Sequence, residues 1–257
     1  VRYGDADDGW AIAFKGDQEA WRQRVFGPLD LSDAETPTFF PSAQQVALRA
    51  HSSYLFARAG AFGMGGAGYS SHAHDDLLSP ILFLAGLPIL ADPGTGVYNG
   101  DRTMRAKYRT AEAHNGLTLS GTPRPEQRMN FGWHSIRPAA HFREVTPTSA
   151  TSHYGETPQH TRTMRLGAAS CAIIDTFAPG RAMNGVWHFH LDPIWQHHKQ
   201  TEDGNWLFLT SDGRMLTLSV SGDLLLTAEV LSYDFSPSYR VEVQGLALSV
   251  SMRPSLV

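Results

Sequence analysis

The residues most able to do chemistry lie in one stretch of the sequence. His72 and His74 form a His-x-His pair, Asp92 opens a turn after an apolar run, and His114 follows several arginines. In an extended strand, residues two apart face the same side, so the pair would direct two imidazoles to one place. Imidazole nitrogens and a carboxylate oxygen are ligands of zinc in sites that keep a water molecule in the fourth position. The pattern predicts a metal site or a proton-transfer site, whereas each residue taken alone is more typical of a hydrogen-bonded core or surface histidine or of an aspartate that caps a turn.

Further polar residues flank these candidates. Arg105 and Arg109 lie four residues apart, so they share a face only if the segment is helical. A guanidinium can bind a carboxylate or sulfate through its planar fork, and a solvated surface cluster is the equal alternative. Asp76 and Asn115 are close enough in sequence to the histidines to orient ligand imidazoles by hydrogen bonds.

Strand patterns dominate the elements that must position these residues. Val46–Ala50 and Ser53–Ala59 are typical of paired antiparallel strands, and Ile81–Ala91 indicates two strands joined by a turn at Gly86. Further candidates recur about every 10 to 15 residues, with turn-forming residues between most of them. They are Leu117–Leu119, Ser135–Phe142, Thr161–Leu166, Cys171–Phe177, Val186–Leu191, Trp206–Leu209, Met215–Val220, Leu224–Leu231, Arg240–Val243 and Ala247–Met252. The pattern predicts an all-β fold, a large antiparallel two-sheet β-sandwich.

The N-terminal part of the chain has a different pattern. A short helix is expected over Asp17–Phe26, and the prolines that follow favour a connector. We therefore divide the chain into a short helical or irregular extension, residues 1–43, and a β-sandwich domain, residues 44–257.

Composition excludes several classes of protein. A single Cys in 257 residues excludes an intrachain disulfide framework and a thiolate zinc cluster. The formal net charge of −4 provides no overall basic field for nucleic acid or an anionic membrane, and no apolar run approaches the roughly 18 residues of a membrane span. The 12 His residues direct attention to imidazole chemistry.

Three runs together resemble the C-terminal region of the heparinase II/III family of polysaccharide lyases. They are His72-Ala-His-Asp-Asp-Leu-Leu-Ser, Leu90-Ala-Asp-Pro-Gly-Thr and Arg105-x-x-x-Arg-Thr-Ala-x-Ala-His-Asn. Shorter runs elsewhere extend the resemblance over nearly the whole chain: Gly4-Asp-Ala-Asp-Asp-Gly, Trp187-His-Phe-His-Leu-Asp-Pro and Ser236-Pro-Ser-Tyr.

The resemblance implies roles for individual residues. It makes His74, Asp92 and His114 the ligands of a zinc ion, Zn²⁺, and places His72 in the catalytic groove, where it would help to handle the uronate of the substrate. It also suggests that Tyr98, Arg102, Arg105 and Arg109 contact the substrate.

The resemblance also implies an activity and a larger architecture. Members of the family cleave uronic-acid-containing polysaccharides, such as glycosaminoglycans or alginate, by β-elimination. Their active site lies between an α/α toroid and the β-sandwich, and the toroid supplies the principal base. This chain lacks long amphipathic helices, so it is expected to hold half of an active site and to be inactive alone.

The expected partners are an anionic polysaccharide and a toroid domain, with no nucleic acid or membrane, in the periplasm or outside the cell. Two alternatives stay open. One is a non-catalytic carbohydrate-binding or scaffolding β-sandwich. The other is a cupin-like metal hydrolase, which a fourth ligand from His188 or His190 would favour.

Overall fold

The computed structural model describes residues 38–62, 70–120, 125–127, 132–134, 139–154, 160–178, 184–223 and 225–253. The helix expected over Asp17–Phe26 lies outside these residues. Thr38–Phe40, which the sequence pattern assigned to the connector, forms the first strand and pairs with the second.

The described residues form sixteen strands in four antiparallel sheets. Sheet 1 has the order β1-β2-β3-β4-β5, sheet 2 the order β10-β9-β8-β7, sheet 3 the order β15-β16-β11-β6 and sheet 4 the order β12-β13-β14. The strands are β1 (Thr38–Phe40), β2 (Gln45–Ala50), β3 (Ser53–Arg58), β4 (Ile81–Leu84), β5 (Leu87–Leu90), β6 (Leu117–Leu119), β7 (Ala140–Thr146), β8 (Ser149–Tyr154), β9 (His160–Leu166), β10 (Cys171–Phe177), β11 (Gly185–His190), β12 (Trp195–Gln200), β13 (Trp206–Thr210), β14 (Met215–Leu218), β15 (Leu225–Ser238) and β16 (Val241–Arg253).

Alternation of buried and exposed side chains explains why these segments are strands. Along β3 every second residue is buried, and along β9 the alternate positions from His160 to Leu166 point inward. The main core joins the inward faces of sheets 1 and 2 with side chains of sheet 4, among them Trp195 and Phe208. A smaller core lies between β11 and β16 around Trp187.

The predicted all-β sandwich is confirmed, although the described strands form four hydrogen-bonded sheets rather than two. Both strands predicted within Ile81–Ala91 are present with their turn at Ala85 and Gly86. The two C-terminal candidates are one long strand, β16, which pairs with β15. The strands β8 and β12 have no counterpart in the prediction because their sequences, SATSHY and WQHHKQ, are polar and take strand geometry from pairing with neighbours.

In the part of the chain that the structure describes, one α-helix, α1 (Arg102–Tyr108), interrupts the strand order. Asp101 caps its N-terminus, because the carboxylate accepts a hydrogen bond from the backbone N–H of Met104 at 2.9 Å. A 3₁₀ turn, Ala111–Ala113, follows the helix and leads into β6. Within the described residues, no helix is long and apolar enough to cross a membrane.

Candidate functional site

Three irregular segments meet beside α1 and carry the predicted site. We call them loop A (residues 70–80), loop B (residues 91–100) and loop C (residues 109–116). Loops A and C are joined directly, because the backbone N–H of Asp75 donates to the carbonyl of Arg109 at 3.0 Å and that of Asn115 donates to Ser79 Oγ at 2.9 Å. The site is therefore built from segments that are far apart in sequence and held by specific hydrogen bonds.

The arginines of this region hold loop A in place. Arg105 donates from Nη2 to the carbonyl of Ser71 at 3.1 Å and from Nη1 to the carbonyl of Tyr98 at 3.2 Å. Arg109 donates from Nε to the carbonyl of Ala73 at 3.2 Å. Loop A thus obtains from side chains the backbone hydrogen bonds that a neighbouring strand would otherwise supply.

The contact of Arg105 and Arg109 with substrate stays a prediction, and both side chains are enclosed in this structure. Only 4% of Arg105 and 1% of Arg109 is exposed, and each guanidinium also lies 4.5 Å from the centroid of an aromatic ring, that of Tyr98 and that of Trp133 respectively. In this enclosed arrangement both arginines position the loops through their hydrogen bonds to backbone carbonyls. Arg102 is exposed at the start of α1, and its contact with substrate stays a prediction.

His72 and Tyr98 form a pair at the outer surface of the site, which we call the outer pair. Their rings stack with centroids 5.3 Å apart, and Tyr98 Oη lies 3.1 Å from His72 Nε2, within hydrogen-bond distance. His72 is exposed and Tyr98 is half-buried, with the Arg105 guanidinium packed against its ring. The pair thus presents a hydroxyl and an imidazole next to a fixed positive charge, a combination that can bind a carboxylate or move a proton.

His74, Asp92 and His114 lie together further inside, and we call them the inner cluster. His114 Nδ1 is 3.1 Å from Asp92 Oδ2, and the rings of His74 and His114 have centroids 5.3 Å apart. His114 is 1% exposed, whereas the Asp92 side chain keeps 34% of its surface exposed. The structure therefore brings together the three residues for which a metal role was predicted.

Burial and mutual charge shift the protonation equilibria of the inner cluster. Burial, together with the nearby His114, lowers the pKa of His74 to about 4. Burial opposes ionisation of Asp92, but the charge and hydrogen bond of His114 lower the pKa of this carboxyl to about 2. Burial also opposes protonation of His114. The charge and hydrogen bond of the Asp92 carboxylate outweigh this effect of burial and raise the pKa of the His114 imidazole. The cluster therefore favours a carboxylate next to a neutral His74.

The inner cluster fits zinc in its donor types. Two imidazoles and a carboxylate are suitable ligands, and the buried His114 Nε2 has no hydrogen-bond partner among the residues that the structure describes. Such an unsatisfied nitrogen is costly in a folded protein and is relieved by a ligand. Nevertheless, across the described part of the chain no three His, Cys, Asp or Glu side chains are arranged closely enough to hold a metal ion, and Asp92 is instead bonded to His114.

The expectation that His72 and His74 share one face of a strand is wrong. Loop A is not a strand: it turns at Ser71 and His72, where the N–H of Ala73 donates to the carbonyl of Ser70 at 3.0 Å. His72 therefore belongs to the outer pair while His74 faces the inner cluster. The two histidines have different surroundings and can have different tasks.

Asn115 and Asp76 were predicted to orient the imidazoles. Asn115 is fully buried and acts on backbone: Nδ2 donates to the carbonyls of Pro80 and Ala91, each at 2.9 Å, and Oδ1 accepts from the N–H of His190 at 2.6 Å. It thus joins loops A, B and C to β11. Asp76 pairs with Arg58 at 2.7 Å, and its influence on the imidazoles is through charge.

Two further residues lie around the site: His190, named in the sequence analysis only as a possible fourth ligand of a metal hydrolase, and Arg162, which the sequence analysis did not name. His190 is buried against the ring of Tyr233, at 4.6 Å between centroids, and burial followed by the nearby His114 lowers its pKa to about 3. Arg162 is buried behind loops A and C and donates to the carbonyl of Asn115 at 3.2 Å. The signal for Arg162 was a charged residue at an inward position of an alternating strand.

The tip of the β15–β16 hairpin covers loop B. The N–H of Ser236 donates to the carbonyl of Pro93 at 2.8 Å, and the N–H of Arg240 donates to that of Gly96 at 2.8 Å. Gly94 has φ of +88°, and a Cβ there would collide with the carbonyl oxygen of Ser236. The Asp-Pro-Gly sequence after β5 therefore allows the close approach that fixes Asp92.

Comparisons with known proteins concern the family and the fold of this chain. A family model described as heparinase II/III-like, C-terminal, matches residues 33–254. Among solved structures, a mutant of the heparan sulfate lyase HepC from Pedobacter heparinus is 18% identical with a TM-score of 0.69, over 96% of this chain and 38% of that chain. A heparinase III gene product is 15% identical with a TM-score of 0.69, and the match covers 96% of this chain and 38% of that chain. A further heparinase III structure is 12% identical with a TM-score of 0.60, over 86% of this chain and 35% of that chain.

At these identities, the likeness establishes the fold. This chain spans well under half the length of the structures that it matches. No curated protein matches the sequence significantly.

Proposed function

Because this chain belongs to the heparinase II/III-like, C-terminal family, we propose that it is the zinc-binding β-sandwich part of a polysaccharide lyase. The substrate would be an anionic polysaccharide that contains uronic acid, and the bond would be broken by β-elimination. The polymer is of the glycosaminoglycan type, since solved relatives include a heparan sulfate lyase. Its setting, the periplasm or the outside of the cell, belongs to the same proposal and rests on family membership.

The observation that carries this proposal is the outer pair. His72 is exposed and hydrogen-bonded to Tyr98, and Arg105 keeps a permanent positive charge against the ring of Tyr98. A uronate carboxylate placed here would meet hydrogen-bond donors and a positive field. The carboxylate can reach His72 without a change in the fold, because this side chain is already exposed.

This placement matches the chemical demand of β-elimination. Removal of the proton at C5 of a uronate leaves an enolate-like intermediate, whose charge must be neutralised as it develops. His72 and Tyr98 are proposed to hold the carboxylate in the orientation that favours this step. The principal base and acid would come from an α/α toroid domain, which packs against this face in the complete enzyme.

The inner cluster has a different proposed task. His74, Asp92 and His114 would hold a zinc ion, and their imidazole and carboxylate donors suit it. When bound, the ion would supply a fixed double positive charge that cross-links loops A, B and C. The residues of the cluster thereby set the position of His72, which lies two residues from His74.

A binding experiment tests the role of the outer pair. The purified chain should bind heparan sulfate, and carboxyl-reduced heparan sulfate should bind about tenfold more weakly because it lacks the uronate carboxylates. His72→Ala should reduce affinity for the native polymer and leave affinity for the reduced polymer unchanged. Equal loss for both polymers, or no loss, would contradict uronate recognition and favour a general carbohydrate-binding sandwich.

A lyase assay tests the incompleteness of the site. Ultraviolet absorbance of unsaturated uronate should stay at background when the chain alone is incubated with heparan sulfate or alginate. Clear turnover by the chain alone would contradict the requirement for a toroid.

Metal analysis tests the inner cluster. The chain should contain close to one zinc ion per molecule, and His74→Ala should lose it. His197→Ala is the matched control, since His197 is an exposed histidine on β12, outside the cluster. Absence of zinc from the unsubstituted chain would overturn the metal part of the proposal.

A further inference from the structure

Arg162 is a buried cation that lies behind the candidate site rather than in it. It stands at an inward position of β9, between His160 and Met164 on the same face, and only 1% of it is exposed. A charged side chain in such a core is stable only when it is paired and fully hydrogen-bonded.

Asp175 supplies the pairing. It lies directly opposite Arg162 on β10 and accepts two parallel hydrogen bonds, from Nε and from Nη2, each at 2.9 Å. It also accepts hydrogen bonds from the ring of His160 and from Trp187 Nε1, at 2.7 Å for the latter. The carboxylate therefore fixes the guanidinium in one orientation, because a planar fork bound at two points cannot rotate.

The remaining nitrogen of the guanidinium is directed at the site. Nη1 donates to the carbonyl of Leu78, in loop A, at 3.0 Å and to the carbonyl of Asn115, in loop C, at 3.2 Å. Leu78 has φ of +60°, a left-handed conformation that costs a leucine free energy. The hydrogen bond from Arg162 helps to offset that cost.

These contacts join the two backbone segments that carry the histidines of the inner cluster. His74 lies four residues before Leu78 in loop A, and His114 is the neighbour of Asn115 in loop C. One rigidly held nitrogen thus bridges the two backbone segments that carry the two imidazoles. Such a bridge fixes ligand spacing without touching any ligand.

We propose that Arg162, oriented by Asp175, is a positioning residue for the zinc site, an inference that rests on the metal part of the proposed function. Arg162 acts through the carbonyls of Leu78 and Asn115, which it holds at a fixed separation. Asp175 and Trp187 act through Arg162.

The test compares Arg162→Lys with Arg165→Gln. Lysine keeps the charge but lacks the fork, so it cannot hold Asp175 at two points and both carbonyls at once. Arg165 lies on the same strand and is exposed, which makes it the matched control. Zinc affinity is measured by competition with a chelator, the visible spectrum by loading cobalt(II), and backbone opening by hydrogen exchange of the zinc-free proteins.

Zinc affinity of Arg162→Lys should fall about 10- to 100-fold, the usual effect of removing support behind metal ligands, and its cobalt spectrum should change. The amides of Asp75 and Asn115, which join loops A and C, should exchange about tenfold faster, while those of β13 keep their rates. Arg165→Gln should match the unsubstituted chain within twofold in every measurement. A purely structural role for Arg162 would instead accelerate exchange in all sheets alike.

Trp187→Phe keeps the inference testable if Arg162→Lys does not fold. It removes one hydrogen bond to Asp175, so zinc affinity should fall about threefold with the same local pattern of exchange. Unchanged zinc affinity and unchanged exchange in a folded variant would overturn the inference.

The two proposals fail in different ways. If the unsubstituted chain binds no zinc, the metal site is wrong, whatever Arg162 does. If it binds zinc and the folded variants bind equally well, only the role of Arg162 is wrong.

Discussion

The outer pair and the inner cluster are neighbours that differ in almost every physical respect. His72 and Tyr98 are stacked where solvent reaches them, whereas His114 is enclosed, with a buried nitrogen for which the described part of the chain provides no hydrogen-bond partner. Only Ala73 separates His72 from His74 along the chain, and the turn of loop A places the two histidines in different surroundings. Exposure allows the outer pair to meet a ligand that arrives from outside, while burial allows the inner cluster to organise the loops.

The support behind the two regions differs as well. The outer pair rests on Arg105, which holds loop A and loop B through their carbonyls. The inner cluster is held by Asn115 and, behind it, by Arg162 and Asp175. Substitutions inside should therefore change stability strongly, and substitutions outside should change ligand binding with little effect on stability.

The largest change in stability is expected for Asp175→Asn. Loss of this charge leaves the buried Arg162 unpaired, and the free energy of unfolding at neutral pH should fall by about 4 kcal/mol. Urea unfolding measures the change, and a loss below about 1 kcal/mol would show that the ion pair does not support the inner region.

The effect of Asp175→Asn on stability should depend on pH. Burial opposes ionisation of Asp175, yet Arg162 and His160 hold its pKa well below the usual range. A carboxyl group whose pKa is lower in the folded chain stabilises the fold at pH values above its pKa in the unfolded chain, about 3.9. This stabilisation is lost as the pH falls from that value toward the lower pKa of the folded chain. The difference in the free energy of unfolding between the parent chain and Asp175→Asn should therefore become smaller below about pH 4.

Asn115→Ala should have the next largest effect. It removes three hydrogen bonds and leaves the carbonyls of Pro80 and Ala91 and the N–H of His190 without this partner. The free energy of unfolding should fall by about 3 kcal/mol, since each unsatisfied buried group costs about 1 kcal/mol or more. Thermal and urea unfolding measure the change, with Asn205→Ala, a half-buried position between β12 and β13 and outside the site, as the control.

His114→Ala separates stability from metal binding. When a chelator keeps the protein free of metal, the free energy of unfolding should fall by about 2 kcal/mol. The loss has two causes: a buried side chain is removed, and the pair of His114 with the partly exposed Asp92 is broken. Zinc content should fall from near one to near zero, because a ligand is lost. Retention of zinc would exclude His114 as a ligand and leave only its structural contribution.

The smallest change in stability is expected in the outer pair. Tyr98→Phe removes the hydroxyl near His72 and keeps the ring that packs against Arg105, so stability should change by less than about 1 kcal/mol. Affinity for heparan sulfate should nevertheless fall several-fold in a binding titration. A large loss of stability without a loss of affinity would remove the distinction between the two regions.

Much of the fold could be predicted from the sequence where side-chain alternation was strong. Cys171–Phe177 and Leu117–Leu119 were predicted with their observed bounds, and the turn at Gly86 was found, because period-two burial and turn residues are local signals. The polar strand β12 could not be predicted in this way, since its pairing with β13 comes from a partner and not from its own pattern.

The candidate site was predictable in its members but not in its arrangement. His74, Asp92 and His114 lie together, while Arg105 and Arg109 are enclosed against aromatic rings. Burial depends on what packs over a side chain from distant segments, and spacing along the chain carries no information about that.

The sequence by itself determined the β class, the family and the donor types available for chemistry, because alternation, turn residues and ordered motifs are written along the chain. Only the tertiary structure decided that His72 is exposed while His74 joins a buried cluster, and that Arg162 stands behind both loops. The physical reason is that backbone groups of irregular loops must find hydrogen-bond partners in the folded chain. Those partners, Arg105, Arg109, Asn115 and Arg162, come from other segments, and their positions determine where each histidine points.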